Sequence, residues 1–328
     1  MADDPKEKLS SQAKRTVILL AGIAAVGMGW IAAEVIVPWW EQREMKASMA
    51  SHAWSMSALE PGKTYELASF PVPPGQNAPP TFSVTLNTRG VREREFTERP
   101  AQGVVRVIAI GDSTTFGTGV PPQQRFSDVL QSLLDQAQPG TFEVLNCGKA
   151  GMTADAGRQF YEQQARAWGA SIIIVGLGTN NLRNGQEPMA VTDSKTALDT
   201  YQNQLEQLAR RAKEDGTLTI LWSNIVLDNR GENTLRPFND RMKKVAEKYA
   251  IPHIDLESVY RGDAVSQTEL RQFKAQSPWT QYWPQFERVP LAKAALHSDM
   301  AHPNAAGFKR LAAALLPFVL DMPQTERR

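Results

Sequence analysis

The spacing of hydrophobic positions along the chain divides it into three stretches of different character. From Thr16 to Ala33 the run TVILLAGIAAVGMGWIAA carries no charge over 18 residues. As a helix it would span about 27 Å, close to the apolar thickness of a bilayer. Trp39 and Trp40 follow soon after, where a membrane interface favours aromatic rings. The pattern predicts a single transmembrane anchor over 16–40. Lys6, Lys8, Lys14 and Arg15 ahead of the run place residues 1–15 on the cytoplasmic side and the bulk of the chain outside. Besides a buried helix of a soluble domain, a cleaved signal peptide competes with this reading. Its apolar core is shorter, about 7–15 residues, and Ile31-Ala32-Ala33 is a poor small-residue cleavage site. The second stretch, residues 41–103, is polar at first and then rich in Pro and Gly. It reads as a stalk followed by an irregular lead-in packed on the main domain. Pro71-Val72-Pro73-Pro74-Gly75 excludes a helix or a central strand, while Thr81–Leu86 is a run that a short strand could use.

From Val104 the period alternates. Val104–Ile110, Phe142–Leu145, Ile172–Leu177, Leu218–Trp222 and Pro252–Leu256 are short apolar runs that read as strands. Between and after them, apolar residues recur at helical spacing. Phe126, Val129, Leu130, Leu133 and Leu134 form one set, and Leu198, Tyr201, Leu205, Leu208 and Ala212 another. Phe238, Met242, Val245 and Tyr249 form a third, and Phe308, Leu311, Leu315 and Val319 a fourth. The alternation predicts an α/β domain over 104–322, with a parallel sheet, right-handed crossovers and helices on both faces. Ligands of such sheets bind beyond the carboxyl ends of the strands. The site is thereby located before any motif is considered.

Composition changes this picture little. The chain is 42% hydrophobic and 22% charged, ordinary for a globular domain, and its net charge of +1 argues against nucleic acid as a partner. Cys147 is the single cysteine, so no disulfide can form within the chain, and it reads as a buried small hydrophobe.

Chemistry-bearing residues cluster just after the strands. The first strand leads into Gly111-Asp112-Ser113, the second into Asn146-Cys147-Gly148-Lys149-Ala150-Gly151, and the third into Gly178-Thr179-Asn180-Asn181. Asp299-Met300-Ala301-His302 precedes the last helix. A serine hydroxyl becomes a useful nucleophile when an oriented base takes its proton. Ser113, His302 and Asp299 supply those three parts. The three-residue spacing lets one turn join the carboxylate to the imidazole. Acyl transfer also needs donors for the developing oxyanion. The backbone N–H groups of Ser113 and Gly151 and the side-chain amide of Asn180 are the candidates. Taken singly, each residue has a plainer use. Ser113 could cap a helix, Asn180 could serve a turn, and Asp299 could sit in a loop. Of the other histidines, His52 falls in the stalk and His253 in a strand, which leaves His297 as the rival base. No dinucleotide fingerprint, phosphate loop or Gly-x-Ser-x-Gly elbow is present.

The four blocks, in this order, resemble the SGNH/GDSL hydrolase family from about Val104 to Val319, and Asn87-Thr88-Arg89-Gly90-Val91-Arg92 resembles a lead-in of bacterial members. The resemblance implies a flavodoxin-like three-layer α/β/α fold, Ser113, Asp299 and His302 as catalytic residues, and Ser113, Gly151 and Asn180 as the oxyanion hole. It implies an esterase or carbohydrate O-deacetylase working through an acyl-enzyme with no metal and no organic cofactor. The substrate would be an ester such as an acylated glycan or lipid. An O-acyltransferase with the same residues, or a non-catalytic envelope binding protein, remain the alternatives. One position departs from the family pattern: Asn181 stands where an aspartate is usual, which implies altered local hydrogen bonding. Trp279, Tyr282, Trp283 and Phe286, ahead of the Asp299 turn, are placed either to overhang the site as a lid or simply to pack beneath a long loop.

Overall fold

The computed structural model describes residues 59–68, 81–182, 195–227, 233–261, 295–297 and 301–321. The predicted anchor over 16–40, most of the stalk, Asp299 and the four aromatic residues of the proposed lid lie outside the described residues. Among the described residues no helix is long and apolar enough to cross a membrane.

The lead-in is more regular than its Pro and Gly content suggested. Strands β1 (Thr64–Ala68) and β2 (Thr81–Thr85) pair antiparallel. Leu67, Phe82 and Val84 are buried while Thr64, Glu66, Ser83 and Thr85 are exposed. A two-stranded ribbon is marginal in water by itself. This one has a period-2 apolar face, which it lays on Leu86 and Phe116.

Strand β3 (Val105–Gly111) leads into the one-turn helix α1 (Ser113–Phe116) and then helix α2 (Phe126–Ala137). After β4 (Phe142–Asn146) come α3 (Ala154–Gln163) and β5 (Ile172–Gly176). Next are α4 (Lys195–Glu214), β6 (Leu218–Ser223), α5 (Arg236–Tyr249), β7 (His253–Asp255) and α6 (Leu256–Arg261). The last described helix is α7 (Ala305–Leu320). Strands β3 to β7 form one parallel sheet in the order β4-β3-β5-β6-β7. Helices α2, α6 and α7 cover one face and α3, α4 and α5 the other. The runs of β3 and β5 are buried throughout, as strands covered on both faces must be. Arg106, the one charged residue in β3, is itself fully buried; its Nε lies 2.6 Å from Glu143 of β4, the residue beside it in register.

All five predicted strands form. Helix α3 is one element that the hydrophobic pattern did not show; strand β1 and the short helix α6 are others. Helix α3 buries Ala154, Gly157, Phe160 and Tyr161, of which two are small, and its start is marked by a Thr153 side chain that accepts from the Ala156 N–H at 3.2 Å. The strand order reverses direction between β3 and β5. A crevice therefore opens beyond their carboxyl ends, where Gly111 and Gly176 lie side by side.

Those two glycines serve packing. A Cβ on Gly176 would overlap the ring of fully buried Trp222, and one on Gly111 would approach the Gly176 carbonyl oxygen to 2.5 Å. Gly176→Ala forces the indole off its site and should cost about 1–3 kcal/mol. Urea unfolding would report this as a lower midpoint at unchanged slope. An unchanged midpoint would show that the indole has room to shift.

Candidate active site

Ser113 begins α1, immediately beyond the crevice end of β3. Asp112 caps the turn, its carboxylate accepting from the Thr114 N–H at 2.9 Å. Asn146, at the end of β4, is fully buried under α1. Its amide donates to the Thr115 carbonyl at 2.7 Å and to the Ser127 hydroxyl at 2.9 Å, and its side-chain oxygen accepts from the Gly148 N–H at 3.1 Å. A Cβ on Gly148 would overlap the backbone of Phe116. That glycine lets the β4 loop lie directly against α1.

Gly151 has φ +81°, in the left-handed region that favours glycine. Among the described residues, a Cβ there would meet no atom within 4 Å. The backbone turn therefore calls for glycine, and no described residue fills the adjoining space. Beyond β5, Asn180 donates its amide to the Met152 carbonyl at 3.2 Å, which ties the third block to the glycine block. Asn181 accepts from the Ala154 N–H at 2.9 Å. It holds a donor at the start of α3.

The imidazole arrives from the opposite end of the chain. Leu296 and Pro303 form an antiparallel bridge, the His297 N–H donates to the His302 carbonyl at 2.8 Å, and the Asn304 N–H donates to the Ala295 carbonyl at 2.9 Å. Asn304 also caps α7, accepting from the Gly307 N–H at 3.0 Å, and its amide donates to the Leu296 carbonyl at 3.1 Å. A Cβ on Gly307 would overlap the Ala295 carbonyl oxygen. These contacts clamp the turn that carries His302 onto the head of α7. The ring Nε2 of His302 and the Ser113 Oγ share a hydrogen bond of 2.7 Å across 189 residues of sequence. It is His302, and not the rival His297, that meets Ser113. Asp299, assigned from the sequence as the orienting carboxylate, lies outside the described residues.

Two contributors to this arrangement escaped the sequence reading. One is Asn146, whose place at a strand end signalled only a loop. The other is Asn224, directly after β6. Its amide donates to the Thr179 hydroxyl at 2.8 Å and to the Asp112 carboxylate at 3.3 Å. It joins the β5 loop to the cap of α1. Its position just beyond a strand end was the available signal.

Asp112 is fully buried, and burial pushes its pKa above the usual 3.8; the Thr114 N–H and the charge of His302 pull it back in part. A carboxylate whose pKa is raised on folding contributes stability that is present below its unfolded pKa and lost as pH rises through the folded value. Asp112→Asn cannot titrate. Relative to the wild type, it should be most favourable at pH 7 and lose ground steadily towards pH 4, which urea midpoints measured across that range would show. Parallel pH curves for the two proteins would contradict a raised pKa at this position.

Residues 109–310 match the model of the GDSL-like Lipase/Acylhydrolase family. Similar solved structures include Axe2, an acetylxylan esterase from Geobacillus stearothermophilus, at 19% identity and TM-score 0.47, covering 66% of this chain and 95% of that one. A lipase/acylhydrolase from Enterococcus faecalis is 16% identical with TM-score 0.47, over 66% and 95% of the two chains. LAE5, an alpha/beta hydrolase enzyme from the metagenome of Lake Arreo, Spain, is 18% identical with TM-score 0.49, over 67% and 97%. Among curated proteins none matches the sequence.

Proposed function

The chain belongs to the GDSL-like lipase/acylhydrolase family, and is thus a hydrolase acting on esters; from that premise we propose that it works through an acyl-enzyme on Ser113, as an esterase or carbohydrate O-deacetylase at the outer side of a membrane. One observation carries the reading: the 2.7 Å hydrogen bond between the Ser113 hydroxyl and His302 Nε2. That distance is within reach for direct proton transfer.

On this reading the Ser113 O–H donates to Nε2, and His302 takes the proton as Oγ bonds to the acyl carbon. The carbonyl π electrons move to oxygen. The backbone N–H groups of Ser113 and Gly151 and the Asn180 amide receive that charge. One amide hydrogen of Asn180 is engaged by the Met152 carbonyl, which fixes the group and leaves the second for the oxyanion. Collapse breaks the bond to the alkoxy oxygen, and His302 returns its proton to the departing alcohol. Water then repeats the sequence on the acyl-enzyme and regenerates Ser113. Asp299 would orient the ring and stabilise the imidazolium. The space beside Gly151 that no described residue fills suits the reacting acyl group. The membrane location rests on the uncharged run from Thr16 to Ala33.

A fluorophosphonate probe and a short-chain aryl acetate test the chemistry together. The wild type should label and turn over. Ser113→Ala should not label and should lose about 10⁴-fold or more in kcat, with His302→Ala close behind. Undiminished turnover in Ser113→Ala would sink the reading.

A further inference from the structure

We propose that Arg92, from the lead-in segment and outside the stretch that matches the family, is a positioning residue for the nucleophile: its guanidinium holds the carboxyl end of the turn that begins with Ser113. The proposal rests on the reading of Ser113 as nucleophile. Helix α1 is one turn long and cannot persist by itself, because nucleating a helix costs more than a single turn returns. Its carbonyls must be held from outside. Asn146 takes that of Thr115. Arg92, only 2% exposed, takes the next two and one just beyond: Nη1 donates to Phe116 at 3.1 Å and Gly117 at 2.8 Å, and Nη2 to Val120 at 3.0 Å. The guanidinium also lies 5.1 Å from the Phe116 ring centroid and 5.3 Å from that of Phe82 in β2.

Arg92 is in turn fixed from both sides. Arg125, at the head of α2, donates to the Arg92 carbonyl while its own guanidinium grips Asp128 at 2.7 and 3.0 Å. Upstream, the Asn87 side chain accepts from the N–H groups of Arg89 and Val91 at 3.0 and 3.2 Å, and Gly90 supplies the left-handed φ of +74° that this turn requires. The next residue, Glu93, accepts from the Asn146 N–H at 3.0 Å. Two consecutive lead-in residues thus grip the β3 and β4 loops together. Burial, and then the charge of Arg125, lower the Arg92 pKa to about 9, which leaves it charged at neutral pH. A methionine would fill the same space without burying a charge. What the guanidinium adds is a rigid fork of donors at fixed directions.

The test measures kcat and KM for an aryl acetate, and the rate and final stoichiometry of fluorophosphonate labelling, in the full chain. Turnover is expressed per labelled site, so loss of folded protein alone does not lower it. Arg92→Met should reduce kcat and labelling rate about 10–100-fold, the scale set by a displacement near 1 Å, with KM little changed. Arg92→Lys keeps the charge but not the fork, and should fall between Arg92→Met and the wild type. It also stands in if Arg92→Met does not fold. Wild-type kcat per labelled site in either folded variant overturns the proposal, whatever the melting temperature does. Failure of both to fold also overturns it, since Arg92 is then a stability element. Ser113→Ala runs alongside: if it still labels or turns over, the nucleophile assignment fails, whereas an inactive Ser113→Ala with fully active Arg92 variants removes only the positioning role.

Discussion

A single turn of helix has almost no stability of its own, yet α1 presents the serine on which the proposed chemistry depends. The fold resolves this by spending buried polar side chains on the turn's backbone. Asp112 takes an N–H at its start, Asn146 a carbonyl in its middle, and Arg92 the carbonyls at and beyond its end. Hydrogen bonds from a charged group to a backbone carbonyl contribute about 1.5–3 kcal/mol each, and leaving such a buried carbonyl unmet costs a similar amount. The turn is therefore set by its surroundings and not by the propensity of Ser-Thr-Thr-Phe.

The same logic runs through the rest of the site. Each loop is tied to another loop and not merely to its own strand. Asn180 reaches the Met152 carbonyl, Asn181 the head of α3, and Asn224 both Thr179 and Asp112. The turn that carries His302 is fastened to α7 through Asn304 and the close approach at Gly307. Such cross-links hold donors and acceptors in place before a substrate arrives, which is what electrostatic stabilisation of a transition state needs. The glycines act in two different ways. Gly148, Gly176 and Gly307 allow backbones and rings to approach closely, whereas Gly151 satisfies a left-handed backbone.

The lead-in changes the usual division between a catalytic domain and what precedes it. The β1–β2 ribbon packs on Phe116 of α1, and the turn at Asn87 delivers Arg92 and Glu93 to the β3 and β4 loops. The region ahead of the family match is therefore built into the site's support.

Much of the fold was legible in the sequence because it is written in local periods. Strands buried on both faces must be apolar throughout, and helices laid on a sheet must repeat their apolar residues at helical spacing. β3, β5 and α7 could accordingly be read directly. Helix α3 could not, since close packing through Ala154 and Gly157 leaves little hydrophobic signal. Of the β1–β2 ribbon, the run that forms β2 could be picked out, but β1 was obscured by the Pro and Gly nearby, because its stability comes from the surface it covers. Ser113, Gly151 and Asn180 stood out as candidates by residue type and by their places beyond strand ends, and His302 by its place ahead of the last helix. That His302 rather than His297 reaches Ser113, and that Arg92, Asn146 and Asn224 support the turn, depended on distances between segments far apart in the chain. Local sequence sets which elements form, but which side chains meet across 189 residues is decided only when the packed sheet brings their loops to one edge.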